Sequence, residues 1–130
     1  MMSGKVLIVD DNQANLKLAR IILSLEGLDI RTALSAEEAL TVLESFTPDL
    51  ILMDLQLPGI DGLQLTSQLK ADPNRHDIIV LAVTAYAMKG DMEKALTAGC
   101  DGYISKPFDP PMLCSVVEHH LRLKRPGSCA

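Results

Sequence analysis

Four short apolar runs each stop at a residue that can hold a metal ion or a phosphate, and this pattern constrains the fold more than any other. The runs are residues 5–9 before Asp10 and Asp11, 50–53 before Asp54, 78–83 before Thr84, and 102–105 before Lys106. Apolar runs of this length between polar or turn residues read as buried strands. Helical patterns between them call for right-handed crossovers and a parallel sheet. Parallel strands end on one edge, and the binding crevice of an open α/β sheet lies outside the carboxyl ends of its strands. Three acids, a hydroxyl and an ammonium group are therefore expected to converge there.

The connecting segments carry helix signals. Leu16, Ala19 and Leu23, with Leu18, Ile22 and Leu25, recur at helical spacing, and Gly27 supplies a stop. Residues 28–33 read as a half-exposed strand. Ser35, followed by Glu38, forms a capping box ahead of a helix that buries Ala39, Leu40 and Leu43. Leu63, Leu65, Thr66 and Leu69 mark a third helix, with Gly62 as a backbone requirement at its start. A fourth spans 88–98, with Asp91 and Glu93 near its positive end and Gly99 placed for a left-handed C-cap. In the fifth, Asp109 is the N-cap and Pro110 the first helical residue, and Leu113, Val116, Val117, His120 and Leu121 trace the core stripe. Arg122, Lys124 and Arg125 suit its negative end. Five strands alternating with five helices make an α/β doubly wound five-stranded parallel sheet. The expected division is an extension over residues 1–4, one domain over 5–123 and a tail over 124–130.

Composition narrows the function. At 130 residues the chain fits one ordinary domain. Although 48% of residues are hydrophobic, no stretch approaches the roughly 18 to 20 apolar residues of a membrane span. The N-terminus shows no apolar export segment. A net charge of −5 disfavours tracking nucleic-acid phosphates. Cys100, Cys114 and Cys129 are odd in number and form no CxxC pair, so they suggest neither a disulfide framework nor a zinc site. A cytoplasmic protein with no direct nucleic-acid or membrane partner is expected.

Crowding three carboxylates needs a reason, because two charges about 4 Å apart repel by roughly 4 kcal/mol at an effective dielectric near 20. Asp11 alone could be an N-cap for the first helix, which leaves Asp10 and Asp54 unexplained. A hard divalent cation explains all three: Mg²⁺ takes one or two carboxylates, keeps several waters and shares a phosphate oxygen. Taken singly, Thr84 is an ordinary strand residue and Lys106 a solvated charge, and both gain weight from the shared edge. Pro107 after Lys106 admits a tight turn. His76, His119 and His120 fall outside the pattern and default to surface or helix packing.

These residues resemble the receiver domain of two-component response regulators over residues 5–123. The matching motifs are Val9-Asp10-Asp11-Asn12, Leu52-Met53-Asp54-Leu55-Gln56-Leu57-Pro58-Gly59-Ile60-Asp61-Gly62, Val83-Thr84-Ala85-Tyr86-Ala87 and Tyr103-Ile104-Ser105-Lys106-Pro107-Phe108. Each is weak alone; all four in order at strand ends are specific. The resemblance implies strand order 2-1-3-4-5 and a flavodoxin-like fold. It further implies a signalling phosphoacceptor that promotes its own phosphorylation and dephosphorylation, and is not an enzyme in the ordinary sense. Asp54 then takes the phosphoryl group of a sensor histidine kinase or histidine phosphotransfer protein. Asp11, Asp54 and the backbone carbonyl of Gln56 hold Mg²⁺, with Mn²⁺ as a substitute, and Asp10 acts through a water. Thr84 and Lys106 bind phosphoryl oxygens. Thr84 and Tyr103 form the switch toward a downstream protein target, and Gln56 and Tyr86 tune the lifetime of the phosphoryl bond. The motif style is similar to free-standing cell-cycle regulators and to hybrid-kinase receivers.

Three rivals are weaker. An aspartyl-nucleophile phosphatase needs a second Asp two residues after the nucleophile, where this chain has Gln56. A flavin or nucleotide module opens on a Gly-rich or Ser/Thr-rich phosphate loop, whereas Asp10-Asp11 repels phosphate unless a cation intervenes. A pseudo-receiver would lack one of Asp10, Asp11, Asp54, Thr84 or Lys106, and all five are present.

Overall fold

Strands and helices alternate from end to end: β1 (Lys5–Val9), α1 (Gln13–Ser24), β2 (Asp29–Ala33), α2 (Ala36–Leu43), β3 (Leu50–Asp54), α3 (Gly62–Ala71), β4 (Ile79–Thr84), α4 (Lys89–Ala98), β5 (Gly102–Ser105) and α5 (Pro110–Lys124). The structure, a computed structural model, describes residues 4–55, 62–84, 89–105 and 109–124. All four strand pairings are parallel, and the order is β2-β1-β3-β4-β5. Both the doubly wound architecture and the expected order are found. The sheet bounds differ by a residue: Ile78 sits in the preceding turn, its N–H bonded to Arg75 O, while Asp54 and Thr84 are the last residues of their strands. Helix α5 runs one residue past 123; residues 125–130 of the expected tail and 1–3 of the extension lie outside the described residues.

Strand position explains strand composition. The inner strands β3 and β4 are buried along their whole length, so both faces carry apolar residues. The edge strand β2 alternates between exposed and half-buried until Ala33. Alternation within the inner strands feeds two cores. Val6, Ile8, Leu50, Leu52, Leu81 and Val83 pack under α1 and α5. Leu7, Val9, Ile51, Met53, Val80 and Ala82 pack under α2, α3 and α4. In α1 the buried residues are Leu16, Ala19, Ile22 and Leu23, while Leu18 is 48% and Leu25 76% exposed, which corrects their expected place in the stripe. Leu18 is two residues from Leu16, about 200° around the helix, and Leu25 lies one heptad further on the same outer side.

Local signals hold at the helix ends. The Ser35 hydroxyl accepts the Glu38 N–H at 3.1 Å. Gly99 has φ +108, Gly99 N–H donates to Leu96 O, and Cys100 N–H donates to Ala95 O, the paired bonds of a Schellman motif. The carbonyl of Asp109 accepts the Leu113 N–H, as an N-cap does. The cap of the first helix is Asn12, whose side chain accepts the Asn15 N–H at 3.1 Å, so the alternative in which Asp11 is only a helix cap falls away.

An ion pair fastens the amino-terminal edge of the sheet. Lys70, at the end of α3, places Nζ 2.8 Å from Asp101 Oδ2 and donates to Ile78 O at 2.8 Å. The same Asp101 oxygen accepts the N–H of buried Val80 at 2.9 Å. A side chain at Gly99 would begin 2.8 Å from Lys70 Cγ, so this glycine also lets α4 close over the lysine. Asp101→Ala removes an acceptor from a buried strand N–H and from a half-buried ammonium. It is expected to lower the unfolding free energy by about 1 to 2 kcal/mol, and Asp101→Asn by less, because its carbonyl oxygen still accepts. Urea denaturation of the two variants reads this difference; equal losses would assign the effect to charge alone.

Candidate functional site

The carboxyl edge of the sheet brings the first three acids together. Asp10 follows β1 directly; its N–H bonds to Ala33 O at 3.1 Å, and its Oδ1 accepts the Asn12 N–H at 2.9 Å. That bond turns the chain into the Asn12 cap and leaves Asp11 exposed between the two. Asp54 ends β3 opposite Val83, and the next residue, Leu55, donates its N–H to Val83 O at 3.1 Å. Asp10 and Asp54 are only 5% and 3% exposed, yet Asp10, Asp11 and Asp54 each offer a carboxylate oxygen within 4.8 Å of the others. Two buried acids and one exposed acid at this spacing stand close enough to share one cation. The donors are all hard oxygens, the set that suits Mg²⁺ or Mn²⁺ and not a soft metal.

The expected hydroxyl is on the same edge. Thr84 is the last residue of β4, in register with Ser105 of β5, and is 1% exposed. Tyr103, two residues before Ser105 in β5, is half-buried and packs on the core under α2, α3 and α4. Gln56, Tyr86, Lys106 and Pro107 lie outside the described residues. Lys106 follows β5 directly in the chain.

Gly62 has a steric reason that the sequence did not disclose. A Cβ there would sit 2.4 Å from the backbone oxygen of Asp54 and 3.0 Å from Met53 Cγ. The first residue of α3 therefore lies directly against the carbonyl of Asp54, and any side chain would push the two apart. Its backbone is not among those with positive φ, so close approach and not turn geometry demands the glycine. Sequence reasoning placed Thr66 in the third helix and missed its polar role: the fully buried hydroxyl donates to Gly62 O at 2.7 Å and accepts the Cys100 thiol at 3.9 Å. A threonine four residues after a glycine at a helix start is the signal that could have found it.

Among the described residues, the histidines and two cysteines sit on other elements. His76 is exposed and bonds through Nδ1 to Pro73 O at 3.0 Å. His120 is half-buried in α5, with Nδ1 2.9 Å from Val116 O, and it packs where a Cβ on Gly102 would meet Nε2 at 2.8 Å. His119 lies on the exposed side, its ring edge-on to that of His120. Cys100 and Cys114 are free thiols. Burial pushes both up from the usual thiol range, and Glu26 adds to the shift at Cys114, so neither is primed as a thiolate.

With this geometry in view, comparison with known proteins is specific. The response regulator receiver domain family matches residues 6–118. The polar-differentiation response regulator DivK of Brucella ovis is 43% identical over 120 residues, covering 92% of this chain and 98% of its own. A CheY-like response regulator receiver domain protein from Methanospirillum hungatei superposes with a TM-score of 0.88 at 31% identity, covering 97% of this chain and 99% of its own. NtrX from Brucella abortus superposes with a TM-score of 0.90 at 29% identity over 98% of this chain and 29% of its own.

Proposed function

The chain belongs to the response regulator receiver family, and from that premise we propose that Asp54 is its phosphoacceptor, with Asp10, Asp11, Thr84 and Lys106 completing the site. The protein is a receiver domain of two-component signalling, a signalling domain and not a classical enzyme. The observation that carries the assignment of roles is the meeting of three carboxylates within 4.8 Å, one of them a nearly inaccessible strand-end aspartate. Asp54 is the one acid of the three that lies within a strand, paired with β4 and abutted by the start of α3, which suits a group that must meet phosphorus in line.

In this reading a carboxylate oxygen of Asp54 forms a bond to phosphorus while the bond from phosphorus to an imidazole nitrogen of the donor breaks. The imidazole leaves with the electron pair and takes up a proton, and Asp54 becomes an acyl phosphate. The donor is a sensor histidine kinase or a histidine phosphotransfer protein. Asp11, Asp54 and the Gln56 carbonyl would hold Mg²⁺ or Mn²⁺, with Asp10 reaching it through a water. When bound, the cation offsets charge on the phosphoryl oxygens and the repulsion among the acids. The Thr84 hydroxyl and Lys106 ammonium bind phosphoryl oxygens, and Gln56 and Tyr86 govern the access of hydrolytic water. The protein thus promotes both gain and loss of its own phosphoryl group. The functional domain is residues 5–123.

Thr84 and Tyr103 lie on adjacent strands, β4 and β5, so a shift of the hydroxyl toward phosphate frees space for the tyrosine ring. The surface of α4, β5 and α5 would then change for a downstream protein target. Tyr103→Ala is expected to keep phosphorylation within about twofold and to weaken target binding by about tenfold, which is 1.4 kcal/mol. Amide shifts of 89–98 and 103–117 should move on phosphorylation more than those of 35–46; a maximum on α2 would reject this face. A cytoplasmic setting belongs to the same reading and is supported by the free thiols Cys100 and Cys114. Among the described residues no helix is long and apolar enough to cross a membrane. The direct test of the whole is incubation with acetyl phosphate. One phosphoryl mass should be gained with Mg²⁺ and none in chelator, and gain in chelator would overturn the role of the cation.

A further inference from the structure

Resting on the reading of Asp54 as acceptor, we infer that Thr66 is a positioning residue: its buried hydroxyl holds the start of α3 against the acceptor's backbone. A threonine that bonds back to the carbonyl four residues earlier is common in helices and by itself says only that a hydroxyl found a partner. Three observations on this chain go further. The carbonyl it holds, at 2.7 Å, belongs to Gly62, the first residue of α3. Gly62 is the residue whose absent side chain lets α3 abut the Asp54 oxygen. The hydroxyl's remaining lone pair faces the Cys100 thiol, which stands at the end of the Schellman turn between α4 and β5. Cys100, Thr66, Gly62 and the Asp54 carbonyl therefore form one buried line from the α4–β5 junction to the acceptor.

The consequence is geometric. The Asp54 backbone is fixed on one side by β4 pairing and on the other by the Gly62 contact. Without the hydroxyl the second stop loosens, and in-line attack is sensitive to displacements of a fraction of an ångström. Thr66→Val keeps shape and removes the hydroxyl, and Thr66→Ser keeps the hydroxyl. The experiment measures the acetyl phosphate phosphorylation rate and the Mg²⁺ concentration at half-maximal rate, well below each variant's unfolding midpoint. Thr66→Val should slow phosphorylation by about tenfold, and Thr66→Ser should stay within about twofold of wild type. Thr66→Ala, which adds no apolar volume, must show the same loss as Thr66→Val and serves if the valine variant does not fold. A wild-type rate in a Thr66→Val protein of lowered denaturation midpoint would make the hydroxyl a helix-stabilising group only. Equal loss in Thr66→Ser, which keeps the hydroxyl, would show that the site responds to any change of packing at residue 66 and would overturn the role of the hydroxyl. Asp54→Asn run beside them separates the two claims: label on that variant defeats the acceptor reading, whereas an inert Asp54→Asn with an unimpaired Thr66→Val defeats this inference alone.

Discussion

Asp54→Asn is expected to abolish the gain of phosphoryl mass, with a rate at least about a thousandfold below wild type. The amide is a neutral, poor nucleophile, and the change also removes one of the three negative charges of the acid cluster. The structure leaves little room for a substitute. Asp10 is buried and has Oδ1 engaged by the Asn12 N–H, and Asp11 is exposed and lies outside the strand ladder. Asp11→Asn keeps the nucleophile and should instead raise the Mg²⁺ concentration needed for half-maximal rate. Intact mass after incubation with acetyl phosphate reads both variants. Full labelling of Asp54→Asn would move the acceptor to another carboxylate and overturn the assignment.

The same substitution should make the metal-free protein more stable. With no cation bound, Asp10, Asp11 and Asp54 hold oxygens within 4.8 Å of one another, and the mutual repulsion is part of the folded state's free energy. Removing the Asp54 charge is expected to raise the unfolding free energy in chelator by about 1 to 3 kcal/mol, which is the roughly 4 kcal/mol pair energy after partial screening. Asp11→Asn should move the midpoint in the same direction by less, because Asp11 is exposed and water already screens it. Millimolar Mg²⁺ should stabilise the wild type by mass action and both variants less. Chemical denaturation of the three proteins, each with chelator and with Mg²⁺, measures all six midpoints. Lower midpoints for both variants in chelator would mean that the carboxylates are satisfied by their neighbours, and the repulsion argument would fail.

Much of this molecule is legible without coordinates, for reasons that differ by element. The buried strands are readable because an apolar run of five between polar ends has few other uses in a short domain. Ser35 and Gly99 are readable because caps obey local rules: an N-cap oxygen needs only the N–H three residues on, and a left-handed C-cap needs only the absence of Cβ. Asp10, Asp11, Asp54 and Thr84 could be grouped because parallel strands must all finish on one edge. What the spacing left undecided shares one cause as well. Leu18 and Leu25 are apolar at near-helical spacing, and only the width of sheet that α1 covers determines which of them stay in water. Asp11 and Asn12 are both good caps, and the bond from Asn12 N–H to Asp10 Oδ1 selects the second.

Order along the chain was enough to identify the sheet and the edge at which Asp10, Asp11 and Asp54 meet, since each rests on periodicity or on a run's final residue. Tertiary structure alone decided how unequally the acids are buried, why position 62 must lack a side chain, and what the Thr66 hydroxyl does. Those properties arise between segments distant in sequence: β1 against β3, α3 against the end of β3, and Cys100 against a helix that begins at Gly62. A pattern of side chains can say that a residue faces inward. The few tenths of an ångström that separate a contact from a clash at the Asp54 carbonyl are set only when the other segment arrives.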